Sequence, residues 1–376
     1  MIDKNYQTII NIISSVLNGT PLTIDNDIDI KSIYRLAKAH SLLSILTSGL
    51  EPTEFFKTLP ENVQKAFLGH KMACIRKSIS FDCERAQILQ KMDELHISYL
   101  PLKGVITNKL YPEPGMREFA DNDIWYDKAY QKQVIQIFKD RGYEVESVNK
   151  CHHDAFTKKP FYNFEMHRTL IDNEPNLKKL SDYYDDNLKS LMILDDGSEY
   201  AHHLSDNDFY VYQIVHGYKH FVHSGNGLRF VMDIYRYNQL KGESLDWNYI
   251  KGELSKMDLV EFEKKIRDLS IAVFTNAPLT EEQDNLLNYM LGSGTYGTVE
   301  NSVHNKMEEA KGSRIKFIWH RLYPGWQWCK KYHPFFAYTF ILIPLLIIGR
   351  IFKALFVKRD KAFKELELSK ENEKDA

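Results

Sequence analysis

The chain has 376 residues, 43% of them hydrophobic, which is enough for a sizeable core and two or three structural units. Lys and Arg number 49 against 51 Asp and Glu, a formal net charge of -2, so no bulk basic field draws the protein to nucleic acid and none is expected as a partner. Its four cysteines, Cys74, Cys83, Cys151 and Cys329, form no CxxC pair and fit neither a zinc knuckle nor a disulfide framework, the pattern of reduced thiols in a cytosolic protein.

The opening Met1-Ile2-Asp3-Lys4-Asn5 is too polar for a signal peptide. Residues 5–17, 30–50 and 61–95 carry apolar side chains at three-to-four spacing and predict helices, parted by turns at Asn18-Gly19-Thr20-Pro21 and Glu51-Pro52-Thr53. The pattern changes at His96. Residues 97–102 are short, apolar and partly alternating, a strand; 105–111 form a short helix closed by Pro112-Glu113-Pro114-Gly115; 119–126 form a second strand. An amphipathic stretch over 129–141 ends at Gly142, as helices often do, and 143–148 and 162–169 supply third and fourth strands.

Helical spacing returns over 209–223, 228–240, 247–256 and 259–275. The segment Gly292-Ser293-Gly294-Thr295-Tyr296-Gly297 lacks the Lys-Ser/Thr pair of a P-loop and reads as a linker, with helix resuming over 303–319. Residues 335–348 are a charge-free apolar run, short of the roughly 20 residues a spanning helix needs. Lys330 and Lys331 precede it, and Lys358, Arg359 and Lys361 follow. It reads either as a buried helix broken at Pro344 or as an interfacial anchor over 334–359, and its lysine-rich borders favour contact with an anionic membrane surface. The Lys- and Glu-rich tail after Asp360 is expected to fray. The fold class is α+β: a small mixed sheet over 96–185, between helical regions at 1–95 and 186–333, followed by the apolar helix and charged tail of 334–376.

The chemistry concentrates in the sheet segment. On a strand, residues two apart share a face, so Asp121 and Asp123 converge. Like charges that close repel, and burying them without a partner is costly. A divalent cation relieves both, and an oxygen-rich site suits Mg²⁺, which also takes oxygens from substrate phosphates. Gly104 lets a phosphate approach the backbone at a helix start, and Lys103 adds a point charge for a triphosphate. Arg117 can fork onto phosphate oxygens, and Glu165 in Glu165-Met166-His167 offers a third carboxylate. Taken singly each is an ordinary surface feature; their joint order points to phosphoryl or nucleotidyl chemistry.

Leu102-Lys103-Gly104, Tyr111-Pro112, Pro114-Gly115, Arg117 and Asp121-x-Asp123 resemble the core of the nucleotidyltransferase-fold superfamily, and more narrowly an uncharacterised bacterial nucleotidyltransferase family associated with cell-surface polysaccharide genes. The likeness extends to Leu36-Ala37-x-x-His40, to Glu165-x-His167, to His216 with Leu228-Arg229, Asp233 and Leu245-Asp246-Trp247, and to Tyr323-Pro324, Tyr332-His333-Pro334, Pro344 and Arg350. Two departures stand out. The superfamily follows its glycine with Ser or Gly, whereas Val105 follows Gly104, leaving Thr107 as a substitute hydroxyl. The residue between the aspartates is usually apolar; here it is Asn122, which raises an edge strand or a bulge as the expectation.

The resemblance implies two-metal transfer of a nucleoside monophosphate from a nucleoside triphosphate such as ATP. Asp121, Asp123 and Glu165 would hold Mg²⁺ or Mn²⁺, and Lys103, Gly104, Thr107 and Arg117 the phosphates. It further implies a hydroxyl acceptor, saccharide or lipid-linked, in cell-surface polysaccharide biosynthesis, at the cytoplasmic face of the membrane. Alternatives are nucleotidylation of a protein in a regulatory or antitoxin-like role, a metal-dependent glycosyltransferase, and a non-catalytic nucleotide-binding scaffold. The Lys-Gly turn argues against the glycosyltransferase, whose donor has no triphosphate tail.

Three weaker signals remain. His216, His220 and His223 share a helical face at a spacing that can hold zinc, with a helix face near the active cleft, or plain packing with Tyr212 and Phe221, as the favoured readings. His152-His153 and His202-His203 read as solvated loop residues. Arg229 and Asp233 read as an i, i+4 ion pair.

Overall fold

Asp3 caps the first helix, Lys4–Asn18, by accepting from the Asn5 amide at 2.8 Å, and Gly19 closes it in the left-handed conformation (φ 62°). The computed structural model describes residues 3–24, 27–149, 151–295, 297–323, 325, 326, 329, 330, 333, 335, 336 and 340–374. Tyr296 of the linker, Pro324, Tyr332 and Pro334 of the C-terminal resemblance, and part of the apolar run lie outside the described residues. The chain divides into two compact units: Met1–Tyr218 with Gly227–Leu291, and Lys219–Asn226 with Gly292–Ala376.

In the first unit, the single helix expected over 30–50 is two, Ile30–Ala39 and Leu43–Leu50. They part where Ser41 takes φ 53°, a backbone turn that the unbroken apolar spacing conceals. His40 sits at this break, 1% exposed. Its Nδ1 accepts from the Leu228 amide at 3.4 Å, and its Nε2 lies 3.1 Å from the Leu291 carbonyl. Burial lowers its pKa to about 4, the hydrogen bond to Leu291 only partly opposing.

An unfolded histidine protonates near 6.5, whereas folded His40 stays neutral down to about 4. Between those values the unfolded state binds more protons. The contribution is therefore complete above pH 6.5 and is lost as pH falls toward 4. The loss amounts to about 3 kcal/mol. Urea midpoints taken near neutrality and at about pH 4.5 are expected to show a shallower acid loss in His40→Gln than in the wild type. Equal slopes would remove His40 from the account.

The sheet is built from β1 (Tyr99–Pro101), β2 (Asn122–Tyr126), β3 (Glu144–Ser147), β4 (His153–Lys158) and β5 (Tyr162–His167). Their order is β1-β2-β5-β4-β3, with β2 and β5 parallel and every other neighbouring pair antiparallel. A two-stranded hairpin, Met192–Leu194 with His202–Leu204, is separate. The chain is thus α+β, a small mixed sheet flanked in sequence by helices. β4 corrects the expectation of a loop: His152 is buried, and His153 opens a strand. Likewise His202 and His203 lie on the hairpin, not in a loop. The helix Glu281–Ser293 is a further element that periodicity did not mark.

One sheet face carries the core. Tyr99, Ile124, Tyr126, Phe156, Phe164 and Met166 pack against Ile88 and Met92 of the long helix Glu61–Glu94, and against Val134, Ile137 and Phe138 of Gln131–Asp140. Asn122 lies on this face, fully buried, and its Oδ1 accepts from Arg85 Nη1 at 2.7 Å. Neither an edge strand nor a bulge is needed, because β2 sits between β1 and β5 and Arg85 meets the amide. Asp154, also on this face, accepts from Tyr126 Oη at 2.9 Å and Gln131 Nε2 at 2.7 Å.

In the second unit, helices Val299–Glu309 and Arg314–Leu322 replace the one expected over 303–319 and are parted by Lys311 (φ 54°) and Gly312 (φ 71°). Where fraying was expected, the described part of the tail, Arg359–Lys374, is helical. Leu368 packs on Val303, Met307, Ala310 and Phe317, and Arg321 forks onto Glu365. The apolar run continues as Ile343–Phe352. No helix among the described residues is long and apolar enough to cross a membrane.

Candidate active site

The polar sheet face follows from register. Asp123 pairs with Glu165 and Trp125 with His167 across the parallel β2–β5 ladder, while His153 pairs with His167 and Ala155 with Glu165 across β4–β5. Cross-strand partners share a face, so Asp123, Glu165, His167 and His153 gather on one patch, with Asp121 two residues before Asp123.

Lys103 is drawn into this patch. The chain leaves β1 with the Leu102 amide donating to the Asp123 carbonyl at 2.9 Å, and Lys103 then takes φ 47°, ψ -122° before the short helix Gly104–Thr107. Backbone strain at a non-glycine residue persists only where its surroundings fix it. Here the Lys103 Nζ donates to Asp123 Oδ1 at 2.7 Å and lies 3.5 Å from His167 Nε2. Burial disfavours the ammonium, yet the Asp123 carboxylate, with weaker fields from Tyr212, Glu165 and Asp121, holds its pKa above the usual lysine value.

The carboxylates divide. Burial pushes Asp123 upward, but Lys103 and the hydrogen bond from His167, 2.8 Å from Oδ1, hold it well below the usual range. Asp121 is raised, by burial first and then by the charge of Asp123, with Lys103, Arg229 and Arg117 opposing. Glu165 is raised to about 8, again by burial and then Asp123. Burial and the Lys103 charge keep His167 neutral. Its Nε2 then carries the proton that faces Asp123, and its buried Nδ1 has no hydrogen-bond partner among the described residues.

The phosphate-binding candidates are engaged with protein. The Arg117 guanidinium, expected to fork onto phosphate, forks onto Asp233, with Nε to Oδ1 and Nη2 to Oδ2 both at 2.8 Å. Tyr111 Oη donates to the same carboxylate at 2.8 Å. Arg229 Nη1 meanwhile donates to the Glu118 carbonyl at 2.9 Å, so the helix-face reading of Arg229 with Asp233 gives way to a tertiary triad of Arg117, Asp233 and Tyr111. Only Nη1 of Arg117 is left over, and it faces Gly104, where an added Cβ would lie 2.9 Å away. A side chain at Gly104 would push this end of the guanidinium aside. Thr107 Oγ1 donates to the Lys103 carbonyl at 3.0 Å, bracing the turn.

Sequence reasoning missed three contributors, Lys77, Tyr212 and His153. Lys77 feels Asp121 across the cleft, its pKa lowered by burial despite that charge. Tyr212 is fully buried; its hydroxyl has no hydrogen-bond partner among the described residues, and Lys103, Asp123 and Glu165 act on it. His153 Nδ1 lies 3.6 Å and His167 Nε2 3.8 Å from Glu165 Oε2, a grouping able to hold a metal. No local signal marks Lys77, Tyr212 or His153, because each is brought in from a separate element, whereas His167 shares its strand and its sequence motif with Glu165. A groove of about 740 Å³ lined by Val16, Leu22, Gly49 and Phe55 shares no residue with this patch, so cavity size does not guide the assignment. His216, the first of the three spaced histidines, packs its ring 6.1 Å from that of Tyr212.

Burial and the charge of Asp123 raise both Asp121 and Glu165, while the Lys103 ammonium is seated on Asp123. An all-oxygen trio of this kind fits a hard divalent cation. Residues 26–274 match the family model described as "Uncharacterised nucleotidyltransferase", and the chain belongs to that family. No curated protein and no solved structure gives a significant match.

Proposed function

We propose that the chain moves a nucleoside monophosphate from a nucleoside triphosphate to a hydroxyl acceptor, with Asp121, Asp123 and Glu165 holding Mg²⁺ or Mn²⁺. The observation that carries this reading is the mutual field of those carboxylates, with Asp123 paired to Glu165 in register and its charge raising both Asp121 and Glu165. When bound, the cation stabilises charge on the entering and leaving oxygens of an in-line displacement. The acceptor oxygen bonds to the α-phosphorus as the bond to pyrophosphate breaks. Glu165 either completes the ligand set of the cation or, left unligated and ionised, takes the acceptor proton. Lys103, Lys77, Arg229 and Arg117, all cations whose field reaches Asp121, would supply the positive charge that a triphosphate needs.

Purified protein incubated with Mg²⁺, each triphosphate, and saccharide, lipid or protein fractions is expected to release pyrophosphate and add the mass of one nucleotide to a single fraction. The engagement of Lys103 with Asp123 and of Arg117 with Asp233 favours a second reading, a nucleotide-binding protein without transfer. Thermal stabilisation by Mg²⁺ and triphosphate without pyrophosphate release would select it.

The acceptor reading, a saccharide or lipid-linked intermediate of surface polysaccharide at the cytoplasmic face of the membrane, draws support from the second unit. Ile341 is 83% exposed, Phe356 74% and Phe352 60%, in a stretch that also exposes Lys353, Lys358, Arg359 and Lys361. Apolar side chains exposed in such density mark a contact surface, and their basic neighbours match anionic lipid. The full chain is expected to sediment with anionic vesicles and not with neutral ones. A Phe352→Glu/Phe356→Glu variant that sediments like the wild type would refute the contact.

A further inference from the structure

Outside the carboxylate trio, the helix Glu61–Glu94 places His70 and Cys74 one turn apart on one face. The loop between Tyr111 and Phe119 crosses that face at unusually close range. Gly115, at φ +81°, sits so near the helix that an added Cβ would lie 2.6 Å from the Ile75 amide nitrogen and 2.7 Å from the Cys74 carbonyl carbon. No other residue permits this backbone contact. It sets Glu118, three residues on, against the two helix side chains. Glu118 Oε1 accepts from the Ser44 amide at 2.9 Å, which fixes the carboxylate and turns Oε2 toward His70.

The three side chains meet at one point. His70 Nε2 lies 3.1 Å from Glu118 Oε2 and 3.4 Å from Cys74 Sγ, and all three donor atoms fall within 4.8 Å of one another. Ligands held at zinc distances in a tetrahedron stand about 3.3–3.6 Å apart. A single ring hydrogen can serve the carboxylate or the sulfur but not both. A sulfur, an imidazole nitrogen and a carboxylate oxygen together disfavour Mg²⁺ and suit a borderline cation. The cluster of His153, Glu165 and His167, in contrast, belongs to the carboxylate patch already described.

We propose that His70 Nε2, Cys74 Sγ and Glu118 Oε2 form a zinc site, with a fourth position left to water or a ligand. All three residues are partly buried, with the side chains of His70 and Glu118 21% and 14% exposed, so an ion can enter. The site fastens the loop that carries Arg117 to the long helix. It stands independently of the proposed transfer reaction.

The test uses the full chain stripped with a chelator and titrated with Co²⁺. A thiolate-to-cobalt charge-transfer band in the near ultraviolet is expected to saturate at one equivalent and to be displaced by Zn²⁺. The band is lost in Cys74→Ser and kept in Cys151→Ser. Zinc affinity, read by competition with a chromophoric chelator, falls in Cys74→Ser and His70→Gln by more than the ~10–100-fold that loss of a ligand's hydrogen-bond partner costs. Zn²⁺ also slows alkylation of Cys74 in the wild-type chain, followed by mass spectrometry, which needs no variant to fold. Absence of the band in the wild type, its survival in Cys74→Ser, or alkylation of Cys74 unaffected by Zn²⁺ overturns the site.

Discussion

Asp121→Asn is expected to abolish nucleotide transfer while raising the melting temperature of the cation-free protein. Both effects have one source. Asp121 holds its charge against burial and against Asp123, and this is why its pKa is raised. An asparagine of nearly the same shape removes that repulsion and gains stability, as at other sites where function is kept at the expense of fold. It also removes an oxygen ligand, and the transfer rate is expected to fall by at least ~10³-fold, the scale of losing one group that stabilises transition-state charge. Asp123→Asn provides the contrast. Its carboxylate is the partner of the Lys103 ammonium and of His167. Removing it leaves a cation in a largely buried position, at a cost of about 3–5 kcal/mol. Both variants lose pyrophosphate release; only the second melts earlier. Retained turnover in Asp121→Asn would remove the trio from the mechanism.

Asp233→Ala carries the second large expected effect. Its carboxylate takes both arms of the Arg117 fork and the Tyr111 hydroxyl, and the Arg117 and Asp233 side chains are each 9% exposed. Truncation leaves a guanidinium with little water and only the weaker field of Asp121 to offset its charge. The expected loss is about 3–5 kcal/mol, read as a lower urea midpoint at unchanged slope. Transfer is expected to fall as well, since Arg117 anchors the loop that leads into Asp121. An Arg117→Met/Asp233→Leu double variant recovers much of the stability, because a well-packed apolar pair avoids the desolvation of both charges. It does not recover the activity. A midpoint in Asp233→Ala equal to that of the wild type would show that the triad does not anchor the loop.

The parts of this molecule that were readable in sequence share a physical basis. The spacing of two set Asp121 and Asp123 on one face, and β5 alternates polar with apolar residues, which placed Glu165 among the candidates. β4 was missed for the opposite reason. His153, Asp154 and Thr157 resemble a solvated loop, yet Asp154 is fully buried because Tyr126 and Gln131, each more than twenty positions away in sequence, satisfy it. A polar residue satisfied by remote partners cannot be told from a hydrated one by local pattern. The same holds for Arg117, whose partner Asp233 lies on a later helix, and for the C-terminal tail, ordered by Arg321 and Leu368.

Lys103 on Asp123 has a consequence for how the chain reaches its native state. Proteins whose acidic centres are neutralised only by an external ion fold as that ion becomes available. Here the neutralising charge is covalently attached twenty residues upstream and arrives with the polypeptide. The acidic face can therefore assemble during synthesis whatever the ambient supply of divalent ions, and a chelator is expected to leave it folded.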